Sequence, residues 1–494
     1  MPLIISLTTM DPVFVAAAFA ALVIVYRVYH RYTRISLADV PGPEPASFIM
    51  GDIHKRQRRV MLPGFGGPES KAFFPLFKGC AESMSNKWMD IINTSKDQSA
   101  VINVAAWLTR ATLDAVGEAA FDAHFGSIDN NESALVRAYT NMMTDVFASL
   151  SDGQIFFQGV SKYIPLRILR YLGETGNGPR LLRMREAGSV ISTVARQMVE
   201  DKSEMLLQGE GSRDILSLLG GCTGPFRFSK SDRSIVKANM DADAKAKLTE
   251  EEMIAQMRTL LLAGHETTST TLSWALLELA KHPEIQSRFR AEIRETEATM
   301  HKRGDAEFTI ADFDRMPYTA AVIKEVLRFS PAAHHVHRYA SQDDILPLSR
   351  PITTRFGGVI HELPVPKGTR IVASIAAYNR NKDLWGEDAH VFNPERWLNG
   401  AAKEKKTTSL GVYSNLMTFG GGVRTCIGWR FALIEMKAFL TEMVGNFEFA
   451  LTDQSERVRR EACMVMIPTV EGEVRNGVQL ALRVSVALRT EKEY

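Results

Sequence analysis

A single cysteine in a glycine-rich turn places the tightest demand on this chain. Phe419-Gly420-Gly421-Gly422-Val423-Arg424-Thr425-Cys426-Ile427-Gly428 sets three consecutive glycines before the sulfur and one after it. Glycine lets a backbone fold close round a side chain and aim its N–H groups there. Such a cradle suits a thiolate that holds iron, with the surrounding N–H groups tuning it. Phe419 is placed to shield the sulfur from water, and Arg424 to meet an acidic group of the bound species. The amphipathic run from Ile427 to Val444 predicts a helix behind the turn. The turn is thereby pinned to a helical layer.

The rest of the composition leaves room for a large core. Of 494 residues, 45% are hydrophobic and 23% charged. A net charge of +2 implies no nucleic-acid partner. Four scattered cysteines (Cys80, Cys222, Cys426, Cys463) make neither a disulfide framework nor a zinc spacing. Length alone suggests about three domains.

Residues 13–29 form an apolar run broken only by Arg27, at the short limit of roughly 17 residues for a spanning helix. A cleaved signal peptide is the competing reading. Arg27, Arg31 and Arg34 follow the run, whereas Asp11 alone is charged before it. Positive charge stays cytoplasmic. The pattern predicts a lumenal N-terminus (1–12), a single-pass anchor (13–29), a basic and proline-rich hinge (30–45, with Pro41, Pro43 and Pro45) and a catalytic body (46–494) in the cytosol.

Residues 249–281 predict a long helix, opened by a Thr249/Glu252 capping box and closed by His282-Pro283. Ala263-Gly264-His265-Glu266-Thr267-Thr268 lies near its middle. A helical glycine costs roughly 1 kcal/mol, so it has a packing or a site reason. Small Ala263 and Gly264 leave room for a flat cofactor and dioxygen, and equally for a neighbouring helix. Tyr318 to Phe329 predicts another helix, stopped at Ser330-Pro331, with Glu325 and Arg328 on one face. Apolar strands are predicted at TRIVAS, within Val365 to Ala376, and from Leu480 to Val486.

The ten-residue pattern F-x-x-G-x-R-x-C-x-G resembles the haem loop of the cytochrome P450 family. Three further motifs stand in that family's order: AGHET, E-x-x-R, and Asn393-Pro394-Glu395-Arg396-Trp397. Outside two anomalies the resemblance covers about nine-tenths of residues 46–494. It implies a mainly α fold with small β-sheets (α+β), a single large haem domain behind the transmembrane helix, and a monomer. The implied cofactor is haem b (iron protoporphyrin IX) with Cys426 as axial thiolate. Phe419, Gly422, Arg424 and Gly428 would surround it, and Ala263 and Gly264 would flank it. Glu266 and Thr267 would form the proton-delivering acid–alcohol pair. Glu325, Arg328 and Arg396 would make a structural ion triad. His54 and Arg58, four apart in His54-Lys55-Arg56-Gln57-Arg58-Arg59, would bind a haem propionate, as would Arg338. Lys55, Arg56 and Arg59 would face outward.

The resemblance further implies an NADPH-dependent flavoprotein reductase as electron donor, with a cytochrome b-type donor as an addition. The substrate would be an apolar small molecule, held by Leu260 to His265, Ala332 to His334 and Ile467 to Thr469. Fungal members that decorate secondary metabolites carry similar stretches, so a terpenoid-like substrate is expected. The endoplasmic reticulum is the expected location. His334, His335 and His337 read as a pocket-lining loop rather than a metal site. Two departures stand out. Only Ala46 to Ile53 separates the hinge from His54, where the family places its first helices and strands. Gly220 to Ile235 looks like an inserted surface loop. A misread gene, with a lost exon in the first case and a retained intron in the second, would explain them, and so would real changes in the protein. An inactive haem- or lipid-binding remnant, and a haem-thiolate isomerase or peroxide-driven enzyme, are the alternative readings.

Overall fold

The structure, a computed structural model, describes residues 52–130, 132–148, 151–161, 163–207, 248–398 and 410–489. The anchor, the hinge and the 220–235 segment lie outside these residues, as does most of the short stretch before His54. No described helix is long and apolar enough to cross a membrane.

The principal helices before the cysteine turn are α1 (Asp52–Met61), α2 (Phe74–Asn93), α3 (Val104–Phe121), α4 (Ala134–Tyr139), α5 (Asp152–Ser161), α6 (Leu166–Thr175), α7 (Pro179–Leu207), α8 (Glu250–Lys281), α9 (Pro283–Lys302) and α10 (Pro317–Phe329). Helix α11 (Trp429–Asn446) follows the turn. The strands are β1 (Ser99–Asn103), β2 (His335–Tyr339), β3 (Asp344–Thr353), β4 (Val359–Val365), β5 (Arg370–Ser374), β6 (Phe447–Ala450), β7 (Val458–Ala462), β8 (Met466–Val470) and β9 (Ala481–Val486). All pair antiparallel: β1-β9-β6 as a three-stranded sheet, then β2-β5, β3-β4 and β7-β8 as two-stranded ribbons.

Two compact units divide the chain. The smaller falls within Met1–His54 and Leu150–Gly178, and its described helices include α5 and α6. No residue of α6 is buried, and Phe156, Leu166 and Tyr171 expose apolar surface. The larger falls within Lys55–Ser149 and Pro179–Tyr494 and holds the core.

Prolines and caps set the helix limits of the larger unit. Thr249 accepts from the Glu252 N–H at 3.2 Å, and the Glu252 carboxylate accepts from the Thr249 N–H at 2.9 Å. At the other end His282 leaves the helical region (φ −127°, ψ 75°), as a residue before proline must. Pro283 and Pro317 then open α9 and α10, where a missing N–H costs nothing. Helix α11 begins at Trp429, two residues later than its periodicity suggests. The Cys426 N–H is committed to the Phe419 carbonyl at 2.8 Å, which keeps Ile427 and Gly428 in the turn.

Helices α3 and α8 pack along their lengths, and the Thr112 hydroxyl donates to the His265 carbonyl at 3.2 Å. Phe77 meets Phe431 edge-on, and Trp88 does the same with Phe447 and Phe449. Aromatic side chains thus fix α2 against α11 and β6. The ribbons are less protected. Among the described residues nothing else pairs with β2-β5 or β3-β4, and Tyr339, Ile345, Val359 and Val372 are exposed.

Candidate functional site

The cysteine turn, α8, the start of α11 and the segment after α10 enclose a cavity of about 320 Å³. That volume lies at the lower end of the roughly 300–1,000 Å³ usual for small-molecule sites. Ala263, Gly264, Thr267 and Thr268 form its α8 wall. Phe419, Gly420, Arg424, Cys426 and Gly428 form the wall opposite in sequence, with Phe431 and Ala432 of α11 beside them. Leu327, Ala332, Ala333 and Val336 close another side.

The turn is built as its glycines demand. Gly420 (φ 72°) and Gly422 (φ 65°) adopt left-handed conformations. A side chain on Gly421 would collide with the Leu410 carbonyl oxygen. Gly422 is exposed and does not line the cavity, so its contribution is the bend itself. The accessible surface of Cys426 opens into the cavity, and protein surrounds the thiol elsewhere. Burial pushes this thiol up, while the Gly428 N–H and the positive charge of Arg58 pull it down. Burial wins, so the thiol keeps its proton until a group that binds the sulfur displaces it. An apolar chamber with one thiol, small residues on the α8 wall and Arg424 at its edge fits a flat, apolar, acid-bearing prosthetic group.

Several residues expected at the site are absent from the cavity lining. Arg338 shares a strand face with Val336, yet it is exposed, lies off the cavity wall and donates to the His337 carbonyl at 2.8 Å. His54 lies one turn before Arg58 on α1 and belongs to the smaller unit. Arg56 is not a free surface charge: it pairs with Glu252, the capping residue of α8. Ile467 and Thr469 are buried in the β7-β8 ribbon rather than facing the cavity. The Trp274 indole N–H holds that ribbon through the Met466 carbonyl at 2.7 Å. His334 is also absent from the lining, although Ala332 and Ala333 contribute.

Gly264 lines the cavity but owes its size to the helix behind it. A Cβ there would stand 2.6 Å from Val116 Cγ2 on α3. Gly264→Ala should therefore destabilise the fold by about 1–3 kcal/mol, read as a lower denaturation midpoint. Thr267 faces the cavity and donates to the Ala263 carbonyl at 2.7 Å. Glu266, one residue before and roughly 100° round the helix, is buried away from it.

Glu325, Arg328 and Arg396 come together. Arg328 grips Glu325 with two donors, at 2.9 and 2.7 Å, and Arg396 adds a third at 3.1 Å. Sequence reasoning missed the relay from here to the turn. Asn379 donates to the Thr418 hydroxyl at 2.8 Å and accepts from the Met417 N–H at 3.0 Å. It also missed Glu435, a wholly buried carboxyl on α11 behind Thr268, which burial pushes up to about 8. Its position three residues after Ala432 on the cavity-lining face of a helix was the available signal.

The family model for Cytochrome P450 matches residues 39–475. "Cytochrome P450 monooxygenase 205" of Postia placenta is 33% identical over 463 residues, which is 91% of this chain and 78% of that one. "Cytochrome P450 monooxygenase claU" of Ampulloclitocybe clavipes is 32% identical, covering 88% and 75%. "Ganoderic acid synthetase CYP5150L8" of Ganoderma lucidum is 31% identical, covering 82% and 73%. The crystal structure of the cytochrome P450DA heme domain superposes with a TM-score of 0.62 at 22% identity, covering 88% of this chain and 77% of that one. That likeness speaks for the fold.

Proposed function

The chain belongs to the cytochrome P450 family, and on that premise we propose that it hydroxylates an apolar small molecule with dioxygen and NADPH-derived electrons. The observation that carries this reading is the Cys426 thiol opening into an apolar chamber walled by Ala263, Gly264 and Thr267. Haem held by a cysteine thiolate supplies dioxygen activation, in which one oxygen atom enters the substrate and the other leaves as water.

The protein's own groups do the rest. Cys426 gives up its proton on ligation, and the Gly428 N–H and Arg58 favour the resulting anion. Arg424, at the edge of the chamber, would pair with an acid group of haem b. Thr267 presents its hydroxyl to the chamber, and Glu266, the residue before it, is the acid that replenishes the proton held at the Thr267 oxygen. Leu260, Leu327, Ala333 and Val336 exclude water and set the shape that the substrate must match.

Redox partners are general to the family. We assign an NADPH-dependent flavoprotein reductase here, with Lys55 and Arg59 left for docking once Arg56 is tied to Glu252. A terpenoid-like substrate of secondary metabolism is the finer proposal, supported by the apolar lining and by the fungal relatives. Residues 13–29 would anchor the protein in the endoplasmic reticulum, on the strength of their apolar run and the arginines after it.

Cys426→Ser tests the reading. Wild-type protein, reduced and exposed to carbon monoxide, should show the strongly red-shifted Soret band of a thiolate ligand and NADPH-dependent oxygenation. The variant should lose both. A wild type with haem but no thiolate signature would leave the binding-remnant alternative standing.

A further inference from the structure

His265, between Gly264 and Glu266, turns away from the cavity and is wholly buried. Its ring stands edge-on to Tyr139, with centroids 4.5 Å apart. Nδ1 lies 2.5 Å from the Leu261 carbonyl oxygen, one turn back. A carbonyl only accepts, so Nδ1 carries a hydrogen, and in that tautomer of the uncharged ring Nε2 presents a lone pair. Glu266 Oε1 faces that lone pair at 3.5 Å, and no hydrogen bond to Nε2 is present among the described residues. Glu266 is nearly as buried as His265. An ionised carboxylate against an imidazole lone pair, out of reach of water, is a repulsive arrangement of acceptors. One proton between them turns it into a hydrogen bond.

We infer that His265 is the positioning residue of the proton-delivering acid: a single proton, shared between Glu266 Oε1 and His265 Nε2, parks the carboxyl on the far face of α8. This rests on the role given to Glu266 above. When the carboxyl swings towards Thr267 it carries the proton with it, and His265 stays neutral. While still turned towards Thr267 and the chamber the carboxylate regains one proton from solvent, and it returns to His265 as the acid, restoring the pair. Other ionisable groups surround it. Burial, and then Glu266, push the Tyr139 phenol up, against the pull of Arg258. The Cys463 thiol is held up at about 12 by burial, Glu461 and Glu266, with Arg180 opposing. The phenol and the thiol keep their own protons at neutral pH, which leaves the Glu266–His265 proton as the transferable one.

Infrared difference spectroscopy on the purified holoprotein tests this without turnover. Subtracting Glu266→Gln from wild type assigns the protonated-carboxyl C=O band. His265→Phe, which keeps the packing on Tyr139, should abolish or shift that band, and His265→Gln, which places an amide near Nε2, should restore part of it. NADPH oxidation by the reductase-reconstituted holoenzyme should fall about tenfold in Glu266→Gln. It should fall several-fold in His265→Phe, with no further loss in the double variant. A band and a rate unmoved by both histidine variants, beside an impaired Glu266→Gln, would overturn the inference. An unimpaired Glu266→Gln would instead overturn the role of the acid, and the infrared band would still decide whether the proton is shared.

Discussion

Arg328→Ala should yield protein without haem, destabilised by about 3–5 kcal/mol. The guanidinium is fully buried and satisfies more than its ion pair. Besides its two bonds to Glu325 it donates to the carbonyls of Asn379 (3.0 Å), Ala389 (2.6 Å) and Val391 (3.0 Å). Glu325, also fully buried, accepts in addition from the Asn393 N–H at 2.8 Å and the Trp397 indole N–H at 2.9 Å. Truncation takes a donor from the Asn379 and Ala389 carbonyls, leaves Val391 only a 3.5 Å bond from Arg396, and weakens the hold on a buried carboxylate, and unmet buried groups cost their full desolvation. Lysine should not rescue, because one ammonium cannot span acceptors set for a planar fork.

The damage then travels to the cysteine turn. Asn379, whose carbonyl Arg328 holds, fixes Thr418 and Met417 through its side chain, and the Thr418 hydroxyl also donates to the Leu327 carbonyl at 2.6 Å. Phe419 is the next residue, and its carbonyl receives the Cys426 N–H. The triad therefore sets the frame of the sulfur through one asparagine. Pigment absorbance per mole of protein and the denaturation midpoint are the measurements. Normal haem content in Arg328→Ala would remove the structural role assigned to the triad.

What could be read in advance follows from how far each signal reaches along the chain. Thr249, Pro283 and Pro331 act within one turn of the helix they bound, so the limits of α8 and the end of α10 were legible. The glycine turn and the E-x-x-R pair are likewise local, and the structure folds them as their spacing implies. Arg396 was placed by resemblance, since nothing in its own neighbourhood points to Glu325. Contacts between distant elements were harder. Gly264 reads as room for a cofactor or for a neighbouring helix, and only the fold names that helix as α3, with Val116 behind the glycine. Arg56 reads as a surface charge until α8 brings Glu252 to it. Arg338 has the right strand face and stands beyond the wall. For Gly264 and Arg56 the sequence names the residue type, and a partner many tens of residues away decides its role.

Glu435 is the sharpest instance, and it gives the second large effect: Glu435→Gln should make the protein progressively more stable than wild type as pH rises from about 4.5 to about 8. The carboxyl is wholly buried on α11, and neither oxygen meets hydrogen-bond geometry. Thr268 is the polar neighbour whose pull partly offsets the burial. The folded protein keeps the proton up to about pH 8, whereas the unfolded chain releases it near 4.5. Across that window the unfolded state gains by ionising and the folded state does not, so stability is lost as pH rises and levels off above it. Each tenfold difference in proton affinity between the two states is worth about 1.4 kcal/mol, so the loss is of order 5 kcal/mol at most. Glutamine has the same shape and no proton to lose, so the wild-type and variant curves should coincide near pH 4 and diverge by pH 8. Denaturation midpoints across that range decide it, and parallel curves would mean that Glu435 ionises in the folded protein as freely as in the unfolded chain. A neutral Glu435 has a consequence for the site as well. Thr268 separates it from the chamber into which Cys426 opens, so protonation keeps a second negative charge away from the sulfur up to about pH 8.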